Sequence, residues 1–326
     1  MGEYKMSNLG DIRKRKEKSG DSLLKQIIEH RWCYLFILPM AIMFTGFVIW
    51  PIIASGYFSL FDWNGIGWPT QFIGLSNFKE LIKDHYFWNA FNNTYIYAIF
   101  QTVVKLPVAL ILAVILNNAS LKGTTFYRTL YFLPVVTTTA IIGIIFTFIL
   151  NPYSGALNNI LLGLRVIGRP VDWLGVNSTA FVVLILIGAW QKLGQYMIYW
   201  LAGLQSIPEE LYEAAKIDGA SSSKTFLHIT LPLLKPVGAI ILLLGFVNSL
   251  RVFDLVLTLT GGGPNFATEM MGVFVYRNAF SAESNVPRMS YACAAGLLFG
   301  ISLIIVAVLQ SGITKKIREY RRERSF

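Results

Sequence analysis

The sequence predicts an all-α membrane protein with six transmembrane helices. Three observations carry that expectation: the composition, six apolar runs long enough to cross a bilayer, and a one-sided distribution of lysine and arginine. Of 326 residues, 54% are apolar and 14% charged, against about 45–50% and about 25% in an average soluble chain. Mean hydropathy is +0.54. These figures argue against a soluble enzyme, a disordered chain and a secreted disulfide scaffold. The two cysteines, Cys33 and Cys293, both sit inside apolar runs and form no framework. The net charge of +10 would suggest nucleic acid in a soluble protein. In so apolar a chain the location of the charge matters more than its sum.

A membrane helix needs about 20 mostly apolar residues. Six stretches qualify, at roughly 32–60, 92–117, 129–150, 179–205, 236–258 and 289–312. Pro39, Pro51, Pro107 and Pro134 lie inside them. Proline breaks a soluble helix, but in a bundle of membrane helices neighbours satisfy the freed carbonyl. The first run is too long for a cleavable leader, and no small-residue cleavage site follows it.

Orientation follows from the basic residues. The segments 1–31, 118–128, 206–235 and 313–326 hold nineteen lysines and arginines, and the three opposite loops hold six. The positive-inside rule then puts both termini in the cytoplasm, and an even number of spans agrees with both ends lying on one side. The expected organisation is a basic tail (1–31), a six-span domain (32–312) with a cytoplasmic loop at 206–232, and a second basic tail (313–326). The tails are topology determinants that touch anionic lipid, worth about 1 kcal/mol per basic residue. No nucleic-acid role is assigned to them.

The loop between spans four and five is unusually polar, with seven charges from Glu209 to Lys235. It predicts two short helices. Ser206 and Glu209 read as a capping box with Pro208 in the first turn. That helix runs to about Asp218, and Gly219 takes the left-handed conformation that ends it. Ser221 or Ser222 caps the second helix, and Pro232 stops it. Tyr212, Ala215 and Ala220 offer a small-residue surface with one aromatic projection, suited to a partner's cleft. The competing reading is an amphipathic helix lying on lipid.

Here the residues resemble a known family. Glu213-Ala214-Ala215, then Gly219, Ile229 and Leu231-Pro232 at fixed spacing, resemble the EAA motif of membrane subunits of ABC importers that work with a substrate-binding protein. The fuller run Glu213–Ala220 is similar to the carbohydrate branch, as are Phe72–Phe78 and Leu259-Thr260-Gly261-Gly262-Gly263-Pro264. The last favours the first-permease type of the maltose and glycerol-phosphate systems. The resemblance implies a type I importer permease fold, and a coupling helix at 208–219 that docks in a groove of a cytoplasmic ATPase. Glu213 and Asp218 would face basic groups there, with Ala214 and Ala215 in the contact and Gly219 permitting the turn. It further implies a second homologous permease subunit, two ATPase subunits carrying ATP and Mg, and an extracytoplasmic binding protein. The external segments 61–91 and 259–288 would meet that protein's lobes. No Walker A pattern occurs in this chain, so ATP chemistry must come from another polypeptide.

Charges inside spans cost about 2.5–3.5 kcal/mol each on insertion scales, so they should face protein or water. Lys105 lies in span two. Gln191, Lys192 and Gln195 lie in span four, and Asn248, Arg251 and Asp254 lie on one face of span five. Each has two readings. One is a sugar-hydroxyl contact on a translocation path. The other is structural: an Arg251–Asp254 pair within the helix, and Lys105 on a carbonyl freed by Pro107. Trp190 is the best ring for a sugar to stack on, whereas Tyr199 and Trp200 read as interface anchors. His30, His85 and His228 are scattered, so neither a metal site nor a catalytic triad is expected. An ion-coupled transporter would show inverted repeats, and none is evident. A membrane enzyme would need paired carboxylates or a histidine with a nucleophile at depth, and Asp254 is the single carboxylate inside a span. The rings are compatible with an oligosaccharide and do not exclude glycerol phosphate or a monosaccharide.

Overall fold

The computed structural model describes residues 31–118, 121–280 and 287–323, with side chains up to residue 312 in the last helix. Most of the basic N-terminal tail, and the side chains of the C-terminal tail, therefore lie outside the described residues. The chain divides into two units, Met1–Tyr57 and Phe58–Phe326.

In the first unit α1 (Arg31–Phe44) passes through a π-helical turn, Thr45–Ile49, into α2 (Trp50–Phe58). The three form one apolar stretch of 28 residues. Pro39 lies inside α1 without ending it. A helix that is apolar all round, with no burial stripe, suits a lipid environment.

The second unit opens with a two-stranded antiparallel hairpin, β1 (Phe61–Asp62) and β2 (Gln71–Phe72). Asn77, in α3 (Ser76–Lys83), is buried and donates from Nδ2 to the carbonyls of Ser59 (2.8 Å) and Phe61 (3.1 Å). Asp84 then caps α4 (His85–Leu116), its carboxylate accepting from the Tyr86 amide at 2.8 Å. Pro107 is accommodated within α4.

The expected third span, 129–150, is not one helix. It comprises α5 (Thr124–Val136) and α6 (Thr139–Ile149), bent by 95°. Thr137 and Thr138 between them have extended backbone, with ψ of 136° and 129°. Pro134 alone does not explain the break, since α4 carries Pro107 and stays continuous. Two β-branched residues in extended conformation end the helical bonding there.

The short α7 (Ala156–Gly163) leads to α8 (Asn177–Gln205), the fourth span. After α9 (Glu209–Ile217), the helix α10 (Ser222–Thr225) does not stop at Pro232 as expected. It continues through a π-helical turn, Phe226–Thr230, into α11 (Leu231–Leu250). In that turn the Leu231 amide bonds to the Phe226 carbonyl. The wider bonding shifts register just ahead of Pro232 and accommodates its missing donor. The fifth span is thus Ser222–Leu250 rather than 236–258. The chain breaks at 251–253 and resumes as α12 (Asp254–Leu259), followed by α13 (Met271–Phe280) and α14 (Met289–Glu323). Five helices are long and apolar enough to cross a membrane, or six if the bent pair α5–α6 counts as one.

Three apolar clusters hold this unit together. Tyr97, Ile142, Leu184 and Val256 join α4, α6, α8 and α12. Ala109, Ala113, Met197 and Leu234 join α4, α8 and α11. Leu81, Phe87, Phe274 and Ala294 join α3, α4, α13 and α14. Lipid gives helices little hydrophobic reason to associate, so close approach through small residues matters. At Gly194 of α8 a β-carbon would sit 2.2 Å from the Tyr131 carbonyl oxygen of α5. That is backbone, which cannot swing away. Gly194→Ala should therefore cost about 1–3 kcal/mol, read as a lower thermal unfolding midpoint in detergent. Gly300→Ala, with nothing within 4 Å of the added carbon, should leave the midpoint unchanged or raise it, since alanine favours the helix over glycine. Equal midpoints for both variants would contradict this packing.

Candidate functional site

A polar cavity of about 370 Å³ opens between α4, α6, α8 and the α11–α12 break. The size falls in the usual range for small-molecule sites. Its lining includes Gln191, Lys192, Gln195, Asn248, Arg251 and Asp254, six of the residues selected from sequence, and also Lys105.

Lys105 is 2% exposed. Its Nζ donates to Gln101 Oε1 (3.4 Å) and Ser249 Oγ (3.3 Å) and lies 4.2 Å from the centre of the Tyr196 ring. It does not bond to a carbonyl freed by Pro107. Gln101 stands one turn before it on α4, and the α4–α11 contact brings Ser249 to it. The Ser249 hydroxyl also lies against Gln101 Oε1 and the Gly245 carbonyl. Gln101 Nε2 donates to the Tyr97 hydroxyl at 3.1 Å, and Asn248 Nδ2 to the Tyr196 hydroxyl at 3.3 Å. Gln191 is buried and donates to Thr139 Oγ1 at 2.8 Å, joining α8 to the first residue of α6. Gln195 donates to the Tyr199 hydroxyl at 2.8 Å.

Arg251 and Asp254 do not share a helix face. Arg251 is the C-terminal cap of α11, and Asp254 opens α12. Among the described residues the ion pairs are Arg277–Glu269 and Arg288–Glu80, both 2.6 Å, and Arg251–Asp254 is not one. Helix dipoles explain the arrangement. A cation is favoured at a helix C-terminus and a carboxylate at an N-terminus, so each charge sits where its own helix end stabilises it. Irregular backbone at membrane depth is tolerated where it lines a cavity.

Trp190 points elsewhere. Its ring meets Phe146 edge-on at 5.6 Å. It lines a separate apolar groove with Tyr131, Pro134 and Ile145. One residue is about 100° of helix rotation, enough to separate Trp190 from Gln191. Sequence reasoning missed Gln101, Ser249, Tyr97 and Thr139. The four-residue spacing of Gln101 and Lys105 on α4 was the available signal.

The second candidate site is the loop around α9. No capping box forms. Ser206 belongs to the last turn of α8, its hydroxyl donating to the Gly203 carbonyl at 2.7 Å, and Pro208 occupies the cap position of α9 with no side-chain bond. Ser221 caps α10 without a side-chain bond. The C-terminal end of α9 matches expectation: Gly219 has φ +69°. The Ala220 amide bonds to Ala215 O at 2.9 Å and the Gly219 amide to Lys216 O at 3.2 Å. This is a Schellman closure, which needs a left-handed residue. Tyr212 is not an outward projection, because its hydroxyl meets Thr230 Oγ1 at 3.1 Å. Ala215 is likewise buried at 7% exposure. The outward surface carries Glu213, Ala214, Asp218 and Gly219, with Ile217, 86% exposed, as the apolar projection that sequence reasoning missed.

From α4, Asn93 Nδ2 donates to the carbonyls of Phe266, Ala267 and Glu269, and Asn89 Nδ2 to Phe266. These bonds fasten the glycine-rich segment 260–269 onto α4. Among the described residues no group of three or more His, Cys, Asp or Glu could hold a metal ion.

Several apolar helices long enough to span a bilayer, around a polar cavity, define a multi-pass membrane protein. Comparison with known proteins gives its kind. Residues 105–319 match the family of binding-protein-dependent transport system inner membrane components, and the chain belongs to that family. The "Probable ABC transporter permease protein YurN" of Bacillus subtilis is 36% identical over 88% of this chain and 97% of its own length. The "Lactose transport system permease protein LacF" of Rhizobium radiobacter is 34% identical over 85% of this chain and 92% of its own. A crystal structure of a bacterial ABC transporter for alginate import contains a chain of the same fold, with a TM-score of 0.78 at 24% identity over 91% of this chain and 99% of that one. The type I importer fold is therefore as expected, and the protein is a transport permease.

Gln101→Leu should leave the Lys105 ammonium short of a buried acceptor, while the Ser249 hydroxyl keeps the Gly245 carbonyl. A loss of about 1–3 kcal/mol is expected, read as unfolding midpoint in detergent. The double variant Gln101→Leu/Lys105→Met should recover most of it. Strict additivity of the two single effects would show the residues to be uncoupled.

Proposed function

We propose that this chain is one of two non-identical permease subunits of an ATP-driven importer. The importer receives a sugar or oligosaccharide from an extracytoplasmic binding protein and releases it into the cytoplasm. The observation that carries the reading is the pairing of a polar cavity with an exposed, Schellman-closed helix outside it. The relatives support the substrate class: their names specify lactose, multiple sugars, arabinooligosaccharides and glycerol 3-phosphate transport. The chain itself performs no chemistry. Two cytoplasmic ATPase subunits bind ATP and Mg, and a second homologous permease completes the wall of the path.

In this account Glu213, Ala214, Asp218 and Gly219, together with Ile217, form the surface that enters the ATPase groove. Ala215 supports it from beneath. Closure of the ATPases draws two such helices together, and the membrane subunits rock between inward-open and outward-open. The substrate path runs past Gln191, Lys192, Gln195, Asn248, Arg251 and Asp254, and it does not use Trp190. The chain sits in a bacterial plasma membrane with both termini cytoplasmic, an orientation that the nineteen-to-six division of basic residues supports. The segments 61–91 and 259–288 face the binding protein, although residues 281–286 of the second lie outside the described residues.

The test is reconstitution in liposomes. Uptake should require enclosed ATP and stop with vanadate, whereas uptake driven by an ion gradient without ATP would sink the reading. Gly219→Leu puts a side chain at φ +69°, a conformation costing about 1–2 kcal/mol for residues other than glycine. It should abolish uptake while ATP hydrolysis and membrane insertion persist. Glu213→Lys should behave likewise. Normal import by both variants would remove α9 from the coupling role.

A further inference from the structure

The cavity holds more positive charge than its own carboxylate can neutralise. Its charged lining is Lys105, Lys192, Arg251 and Asp254. Lys105 is 2% exposed, and its ammonium contacts neutral groups: an amide oxygen, a hydroxyl and the Tyr196 ring. Asp254 forms no ion pair with a cation of the cavity among the described residues. Cations in a low-dielectric enclosure repel one another and hold anions strongly. A neutral sugar needs hydroxyl partners, and Gln191, Gln195 and Asn248 supply them. The cations can also donate to sugar hydroxyls, but a neutral ligand leaves their net charge uncompensated and their desolvation only partly offset.

We propose that the cavity takes a carbohydrate bearing an anionic group, a carboxylate or a phosphate, whose charge is met by Lys105, Lys192 and Arg251. Charge-assisted hydrogen bonds from ammonium and guanidinium groups are the strong ones for such ligands. Lys105 supplies the fixed contact, because its neighbours on α4 and α11 hold it in place. This rests on the reading of the cavity as the transport path.

The complete importer, with its partner permease, ATPases and binding protein, is reconstituted in liposomes. It is offered radiolabelled digalacturonate, glucose 6-phosphate, maltose and lactose. ATP-dependent uptake of digalacturonate or glucose 6-phosphate above both neutral sugars is the expected result, and the anion preferred assigns carboxylate or phosphate. Lys105→Met and Lys192→Gln should each lower uptake of that anion about tenfold or more, and Lys105→Arg should restore it. If Lys105→Met fails to assemble, Lys192→Gln carries the comparison. ATP-dependent uptake of maltose or lactose alone overturns the proposal and leaves the importer reading standing. Anion uptake indifferent to the assembled variants also overturns it. Absence of ATP-dependent uptake for all four probes overturns the proposal, and the importer reading then stands or falls on its own test.

Discussion

An ammonium group cannot face hydrocarbon, and α4 carries one near the middle of its apolar run. Lys105 therefore constrains how α4 can be oriented. Its neighbours must supply polar contacts at membrane depth, and α11 does so with Ser249 while α8 does so with the face of the Tyr196 ring. The same three helices pack apolar residues against one another on one side of that contact, through Ala109, Met197 and Leu234. Tyr97, about two turns earlier on α4, leads into the cluster with α6 and α12 on the other side. The polar network and the two apolar clusters are thus one construction. A buried cation fixes the rotation of α4, and packing on either side fixes its neighbours.

The break after Leu250 follows from the same economy of polar groups. A continuous helix through 251–254 would put an arginine and an aspartate on one face in the bilayer. Breaking it gives each charge a helix end of favourable sign and opens backbone onto the cavity. The bend between α5 and α6 has a related consequence. The Thr139 hydroxyl at the start of α6 becomes the acceptor for Gln191, so the interruption serves a polar residue of α8. Both irregularities lie beside the cavity, where a change of shape during transport has the least regular structure to disturb.

Much of this was legible in the sequence. Apolar runs marked the spans because lipid imposes a composition on every residue that faces it. Gly219 was legible because a Schellman closure demands a conformation that favours glycine. Six of the seven residues chosen for the path line one cavity, because charged and amide side chains at depth have few other places to go. The failures have equally physical causes. Pro134 sits by a 95° bend while Pro107 and Pro236 lie within continuous helices, so proline alone does not locate a break. Pro232 looked like a stop, but a π-helical turn just before it took up the mismatch. Trp190 was selected for depth, yet its azimuth on α8 turns it to Phe146. Ser249 escaped notice because a neutral polar residue in an apolar run carries no signal until α4 and α11 are seen to meet, whereas the four-residue spacing of Gln101 from Lys105 was there to be read.

The central claim is that the cavity around Lys105 is the path itself and changes its accessible side when ATP is spent. The most direct measurement places a single cysteine at Asn248, with Cys33 and Cys293 replaced by serine, in the reconstituted importer. Membrane-impermeant thiol reagents are then added from either side. The account predicts labelling from the cytoplasmic side in the resting complex, and from the outer side once vanadate traps the ATPases closed. Labelling that stays on one side in both states, or that is absent from both, would contradict it.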